Sequence, residues 1–320
     1  MRRRAVLALP ALLCLPRLGY AAEAYPERPI RIVVPFAAGG GTDAVMRAIA
    51  DAVAADWKAT ILIDNKPGAG TTLGASAVAQ APADGYTLLA NTASFLVSPR
   101  LMANRPYRTE EFVPVSLVAS SPHVLVVAKD VPATTLADFT AWAKGKAQPA
   151  TFASFGSGSS SHLGYEILRE RLGLTLVHVP YRGAAPAMVD LLAGRVDTML
   201  ADLSAIAEQV KAGSVRALAV TGETRTAALP DVPTIAEAGL SGFTSESWFG
   251  LMARAGTDPR ILSRWTTAVQ KALASPAVRE KLALLGIRAI GSEAEIFARF
   301  LRDEDEKYGA AIATSGAKME

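Results

Sequence analysis

The sequence predicts an α/β protein of two lobes, each a mostly parallel sheet flanked by helices. Short apolar runs alternate with amphipathic helical stretches along its 320 residues, the pattern of strand–helix–strand units. Loops rich in glycine, serine and threonine follow those runs again and again. The alternation is broken near residues 120 and 221 by extended segments that read as crossings between two sheets.

The chain opens with a different kind of segment. Arg2, Arg3 and Arg4 precede an apolar stretch from Ala5 to Pro16, too short to span a bilayer, and Ala22-Glu23-Ala24 follows. This is the pattern of an export leader cleaved after Ala24, with Ala21 as the alternative point. Arg3 and Arg4 leave both the general and the twin-arginine export routes open. The one cysteine, Cys14, falls inside the leader behind a bulky Leu13, which does not suit lipid attachment. The exported chain would therefore have no thiol or disulfide chemistry. Half of the residues are hydrophobic and 20% charged, which favours packed cores over disorder. Without residues 1–24 the chain carries 29 basic and 29 acidic side chains. That balance gives no support for a nucleic-acid partner.

Taken in order, Ile30–Val34 reads as a buried strand. A helix follows to about Trp57, with Val45, Ile49, Val53 and Trp57 four apart on one face and Thr42 or Asp43 available as its cap. Residues 60–64 form a second strand, 73–81 a helix and 86–91 a third strand. Two extended runs between Phe112 and Ala128 lead into the second lobe. Thr135 and Asp138 have capping spacing before a helix to Lys144. Strands at ATFASF, LTLVHVP and VDTMLAD then alternate with helices at about 160–172, 185–193 and 203–212, and the strand 215–221 returns. Thr234 with Glu237 and Ser292 with Glu295 have capping-box spacing. Ser247–Ala253 reads as a strand, and three helices finish the chain. The last, with Ile296, Phe300 and Leu301 on one face, is expected to pack on the first lobe. The expected lobes are 25–120 with 222–320, and 121–221.

The chemistry concentrates in six loops at the carboxyl ends of the expected strands, where open parallel sheets bind ligands. They are Ala37–Asp43, Pro67–Gly74, Asn91–Ser94, Ser154–His162, Tyr181–Gly183 and Ala201–Ser204. Glycines let backbone N–H groups approach a ligand, and helix starts add free donors and partial positive charge suited to a carboxylate. Each loop also has a plainer reading as a tight turn or cap. Gly68, Gly70 and Gly74 miss the dinucleotide-binding spacing by one residue. His162 falls in a first helical turn, where a neutral ring donating one hydrogen bond is expected; a catalytic role lacks an identifiable acid partner. His123 and His178 fall in strands as packing residues. Asp43 and Asp202 either cap helices or receive a ligand amine or hydroxyl, and Arg182 either pairs with a carboxylate or faces solvent. Trp248 and Phe249 read as core. Scattered histidines suggest no metal site, no cofactor motif is present, and there is no G-x-S-x-G elbow.

IRIVVPFAAGGGTD, DNKPGAGTTLGA, FGSGSSSHLGYEIL, HVPYRGAAPAMVDLLAGRVD, LPDVPTIAEAGLSGF and SWFGLMARAGT resemble, in this order, the Bug family of extracytoplasmic solute receptors of tripartite tricarboxylate transporters. The resemblance spans about residues 26–318. It implies a Venus-flytrap fold of the periplasmic-binding-protein type and a monomeric receptor, not an enzyme. The implied ligands are di- or tricarboxylates, acidic amino acids or aromatic acids, delivered to integral-membrane permease subunits. The implied ligand contacts are Phe36, Ala38, Thr42, Asp43, Gly70, Thr71, Thr92, Ala93 and Ser94 from the first lobe. From the second they are Ser154, Ser157, Ser159, Ser160, His162, Tyr181 and Asp202. Ala37 stands where the family often has proline, Thr71 where glycine is common, and Arg182 where lysine is usual. Two rival readings use the same cleft: a sensor that presents its ligand to a signalling partner, and an enzyme acting on a small acid through His162.

Overall fold

The computed structural model describes residues 25–315 except 103, 105 and 182. The expected leader and Arg182 lie outside the described residues.

The first sheet starts from β1 (Ile30–Val34), β2 (Ile61–Asn65) and β3 (Thr87–Asn91), paired in parallel in the order β2-β1-β3. Side chains alternate across a strand. Ile30, Ile32 and Val34 therefore enter one core with Val45, Ile49 and Val53 of α1 (Gly41–Trp57). Val33 and Leu89 enter the opposite core with Val78 of α2 (Thr72–Ala79). Burial on both faces explains the nearly unbroken apolar runs. A helix not anticipated, α3 (Ala93–Leu101), follows β3 directly and contains Pro99. Proline cannot donate to the carbonyl four residues back; that carbonyl, of Phe95, accepts the Tyr107 hydroxyl at 2.7 Å instead.

The two sheets share one strand. β4 (Phe112–Ala128) joins the two extended runs read from the sequence into 17 continuous residues. Its first part pairs antiparallel with β9 (Glu246–Arg254), from Phe112 opposite Arg254 to Pro122 opposite Glu246. From His123 onward it pairs antiparallel with β7 (Thr198–Asp202) and β8 (Val215–Val220). Pro122 has no N–H to give a ladder and marks the change of partner. The second sheet continues from β7 through β5 (Ala150–Ser154) to β6 (Leu176–Pro180), both in parallel. Helices α4 (Leu136–Gly145), α5 (Ser160–Leu172), α6 (Ala184–Leu192) and α7 (Leu203–Lys211) cover it. Its core holds Leu125, Phe139, Phe152, Tyr165, Leu191 and Met199. The expected capping box of α4 forms in both directions between Thr135 and Asp138.

Residues 222–245 were expected with the first lobe. Leu229, Ile235 and Phe243 pack in the second core instead. Val220 N–H donates to Pro233 O, and Ile235 N–H to Val220 O, tying this segment to the edge of β8. The Thr234–Glu237 box forms there on a turn, not a helix.

The chain then returns along β9 and closes the first lobe with α8 (Pro259–Ala274), α9 (Pro276–Leu284), the short β10 (Arg288–Ala289) beside β4, and α10 (Ala294–Ser315). Two details of α10 differ from expectation. Ser292 accepts the N–H of Leu117 at 3.0 Å and so fastens the helix start to β4. The buried stripe is Phe297, Leu301 and Tyr308, with Ile296 turned outward at 53% exposure.

Candidate functional site

Strand direction alone brings the six loops together. β9 runs antiparallel to both β3 and β4, so β4 leaves the first sheet at the edge where β1, β2 and β3 end. β4 enters the second sheet with His123 opposite Asp202, the last residue of β7. β5 and β6 run parallel to β7 and end at the same edge. The carboxyl edges of both sheets therefore meet at the crossing, and the loops of one lobe face those of the other. The lobes touch there: a Cβ on Gly158 would stand 2.9 Å from Val97 Cγ1 and 3.1 Å from Leu101 Cδ1 of α3, at a φ of +79°. Only glycine fits both the close approach and the backbone.

In the first lobe the loop before α1 offers backbone. Ala37, Ala38, Gly39 and Gly40 are exposed, and the first amides of α1 have no partner within the helix. Asp43 is 3% exposed, and it holds the loop from beneath instead of capping the helix. Its Oδ2 accepts Gly39 N–H and Arg47 Nε, each at 2.9 Å, and its Oδ1 accepts Asn65 Nδ2 at 3.0 Å. Asn65 Nδ2 also donates to Phe36 O. Burial alone would raise the Asp43 pKa; the hydrogen bonds from Arg47, Gly39 and Asn65 outweigh it and hold the carboxyl below its ordinary value. The Phe36 ring packs against the core, and Thr42 is buried. Gly70 turns left-handed and gives its carbonyl to Ser98 Oγ, while Thr71 follows at φ +78°. Thr92 precedes α3 without capping it through its side chain. Ala93 is buried and Ser94 half-buried.

The second lobe's loop is organised by side chains. Ser159 caps α5, its hydroxyl accepting His162 N–H and donating to Gly156 O. His162 Nδ1 accepts Gly158 N–H at 3.1 Å, leaving its proton on Nε2, which lies 3.7 Å from Glu166 Oε1. The ring stacks on His178 at 3.9 Å, His178 on Phe152 at 4.8 Å, and Phe152 on Tyr165 at 4.4 Å. Burial, then the charges of His178 and Arg169, lowers the His162 pKa to about 3; burial and Arg169 lower that of His178 to about 4. Both rings are neutral at neutral pH. The neutrality expected of His162 is present, and burial is its main cause. Ser154 is fully buried and bonded to His178 Nε2 at 2.7 Å. The Tyr181 hydroxyl donates to Asp190, and burial together with that carboxylate raises its pKa to about 12. Ser157 remains half-exposed on the loop.

Of the residues expected to touch a ligand, Ala38 is exposed, Phe36, Gly70, Thr92, Ser94, Ser157, Ser159, Tyr181 and Asp202 are half-buried, and the rest are buried. Asp43, Ser154, Ser159 and His162 form the frame of the loops. Sequence reading missed part of that frame. Asn65 and Arg47 complete the Asp43 clamp. His123, Ser245 and Ser247 form a buried polar knot at the crossing, with His123 Nδ1 2.8 Å from Ser245 Oγ and Nε2 3.1 Å from Ser247 Oγ. The alternation Ser245-Glu246-Ser247 at the entry to β9 was the available signal, since extended backbone puts both hydroxyls on one face. Ser160 and Asp202 both address Nε2 of His123, at 3.4 and 3.5 Å. A nucleophile triad needs nucleophile and carboxylate on opposite ring nitrogens; Ser160 and Asp202 share one, and Ser245, on the other, is buried at 3% exposure. The concavity bounded by Trp57, Arg264 and Lys271 lies at the far end of α1 from these loops.

Two α/β lobes joined by crossing strands, with amide- and hydroxyl-rich loops meeting between them, define a solute-binding receptor. Residues 45–317 match the tripartite tricarboxylate transporter family receptor, TctC, and the chain belongs to that family. It is 35% identical to the periplasmic binding protein BugD, over 92% of this chain and 100% of that one, with a TM-score of 0.81. It is 33% identical to R. palustris Rpa4515, solved with adipate, over 92% and 99% of the chains, with a TM-score of 0.84. It is 32% identical to MatC from Rhodopseudomonas palustris, solved with malate, over 90% and 100%, with a TM-score of 0.80. The family and fold expected from the sequence motifs are thus present.

Proposed function

We propose that this protein is an exported receptor that captures a small carboxylate, in the range of di- and tricarboxylates, acidic amino acids and aromatic acids, between its lobes and delivers it to membrane permease subunits. The observation that supports this most directly is the meeting of both sheets' carboxyl edges at the middle of β4. It aims the free amides before α1 and the Ser-rich start of α5 at one gap. Backbone donors and helix starts suit a carboxylate without a cationic side chain. The adipate and malate held by relatives of the same fold agree with that chemistry.

In this reading Ala38, Thr42, Thr92, Ser94, Ser157 and Ser160 touch the ligand by backbone or hydroxyl, and Asp43 and His162 keep the loops in shape. The lobes close by bending β4 near Pro122 and the strand entering β9. Unfolding and refolding first removes carried-over ligand. Thermal melting is then followed with a panel of mono-, di- and tricarboxylates. A ligand at a hundred times its Kd adds about 2.7 kcal/mol of stability, so a binder raises the melting temperature by several degrees. No shift with any acid in the panel would count against the proposal.

A further inference from the structure

We propose that Asp202 selects ligands bearing a hydroxyl or ammonium group next to a carboxylate, so that 2-hydroxy and 2-amino acids bind and plain diacids of the same length bind weakly. This rests on the carboxylate-receptor reading and narrows its ligand class.

Asp202 stands at the N-cap of α7, where an aspartate ordinarily accepts a backbone N–H. Its side chain makes no such bond. It is turned to the lobe crossing, where Ser247 Oγ donates to Oδ1 at 2.6 Å. The donors behind it form a directed chain. Ser247 spends its one proton on Asp202 and so accepts from its other neighbours, Ser160 Oγ at 3.2 Å and His123 Nε2 at 3.1 Å. Ser160 is the first residue of α5, so the carboxylate stands two hydrogen bonds from the helix start that suits an anion. Oδ2 makes no hydrogen bond among the described residues, and no Lys or Arg among them forms an ion pair with Asp202. The side chain is 22% exposed.

A fixed carboxylate acceptor beside an anion site repels a second bare carboxylate. It also leaves an unmet acceptor unless the guest supplies a donor. A hydroxyl or ammonium on the carbon bearing the ligand's carboxylate meets both conditions, and the analogue lacking it is disfavoured because it would cover the half-buried carboxylate and leave it unpaired.

The test uses matched series bound to wild type and to Asp202→Asn by calorimetry: succinate, malate and aspartate; glutarate, 2-hydroxyglutarate and glutamate; adipate, 2-hydroxyadipate and 2-aminoadipate. Asparagine keeps the shape and the acceptor for Ser247. The inference expects wild type to prefer a substituted member over the plain diacid by roughly tenfold or more. It also expects Asp202→Asn to reduce that ratio severalfold, with plain-diacid binding held or improved. Equal wild-type affinity within every series overturns it. So does an equal loss for all members in Asp202→Asn, which would make the side chain a brace for the crossing. Failure of every member to bind folded wild type overturns it together with the dicarboxylate reading beneath it; binding without discrimination overturns this inference alone. Far-ultraviolet circular dichroism and the melting temperature of Asp202→Asn establish that the variant is folded.

Discussion

The two lobes bring similar loops to the same gap but hold them by different physics. The first lobe's loop, Ala37–Gly40, is exposed backbone, kept in shape by a charged clamp of Asp43, Arg47 and Asn65. The second lobe's loop, Gly156–Ser160, is kept in shape by a neutral column of His162, His178, Phe152 and Tyr165. One frame needs a charge and the other needs its absence. Acid should therefore reach the lobes in sequence, the second before the first.

The largest expected effect follows from the column. The unfolded histidines take up protons as pH falls below their ordinary value of 6.5, while the folded rings resist to about 3 for His162 and about 4 for His178. The unfolded state then binds more protons, so the stabilising contribution is complete above pH 6.5, declines as pH falls below that value, and is fully lost once pH has fallen through the folded values. The slope is at most about 1.4 kcal/mol per pH unit from His162, and less from His178, which water reaches more easily. Asp43, held below its ordinary value of 3.8, contributes stability that persists until the pH is lower still. Urea unfolding between about pH 7.5 and pH 5 should show this loss, and His162→Gln should flatten it. Hydrogen exchange should show residues 150–180 loosening before residues 30–65. A wild-type midpoint that does not move with pH would remove the contrast between the lobes.

The clamp supplies the next effect. Asp43→Ala leaves Asn65 Nδ2 and Arg47 without the acceptor between them and frees the Gly39 N–H, at a cost of about 2 kcal/mol. The exposed half of Arg47 keeps that figure below the cost of breaking a fully buried pair. Ligand affinity should fall at least severalfold, because the loop's amides lose their common orientation. Calorimetry and urea unfolding of the variant check both parts. A stable variant with unchanged affinity would mean that the loop needs no clamp, and the two lobes would then differ only in composition.

The fold was legible because parallel strands buried on both faces leave apolar runs, as at Ile30–Val34, and because Val45, Ile49 and Val53 repeat at helical spacing. What was not legible depends on contacts distant in sequence. Pro99 hid α3, since nothing local says that Tyr107 will take up the carbonyl that proline leaves free. Ser292 looked like a cap, but a strand 175 residues away claims its oxygen. Residues 222–245 read as part of the first lobe, and only the pairing of Ile235 with Val220 places them with the second core. The loops of the site were readable from glycine, serine and strand ends. Their frame was not, because Asn65, Ser247 and His123 act through tertiary hydrogen bonds that no local motif records.

The smallest expected effect concerns the first lobe's other loop. Thr71 lies at φ +78°, and a β-branched residue in that region carries a strain of roughly 1–2 kcal/mol. Glycine relieves the strain but adds unfolded-state entropy and gives up the buried Thr71 methyl. The net for Thr71→Gly should be a gain of about 0.5 kcal/mol, near the limit of what careful urea titrations resolve. Strained residues persist where the surrounding structure requires them, often at binding sites. If Thr71 is kept for its hydroxyl, the variant should be slightly more stable and bind its acid severalfold more weakly. Equal affinity with the same gain would mean that only the backbone of this turn matters, as in the loop before α1, and would sharpen the contrast with the side-chain-built second lobe. A loss of stability would show that packing of the Thr71 side chain outweighs the strain.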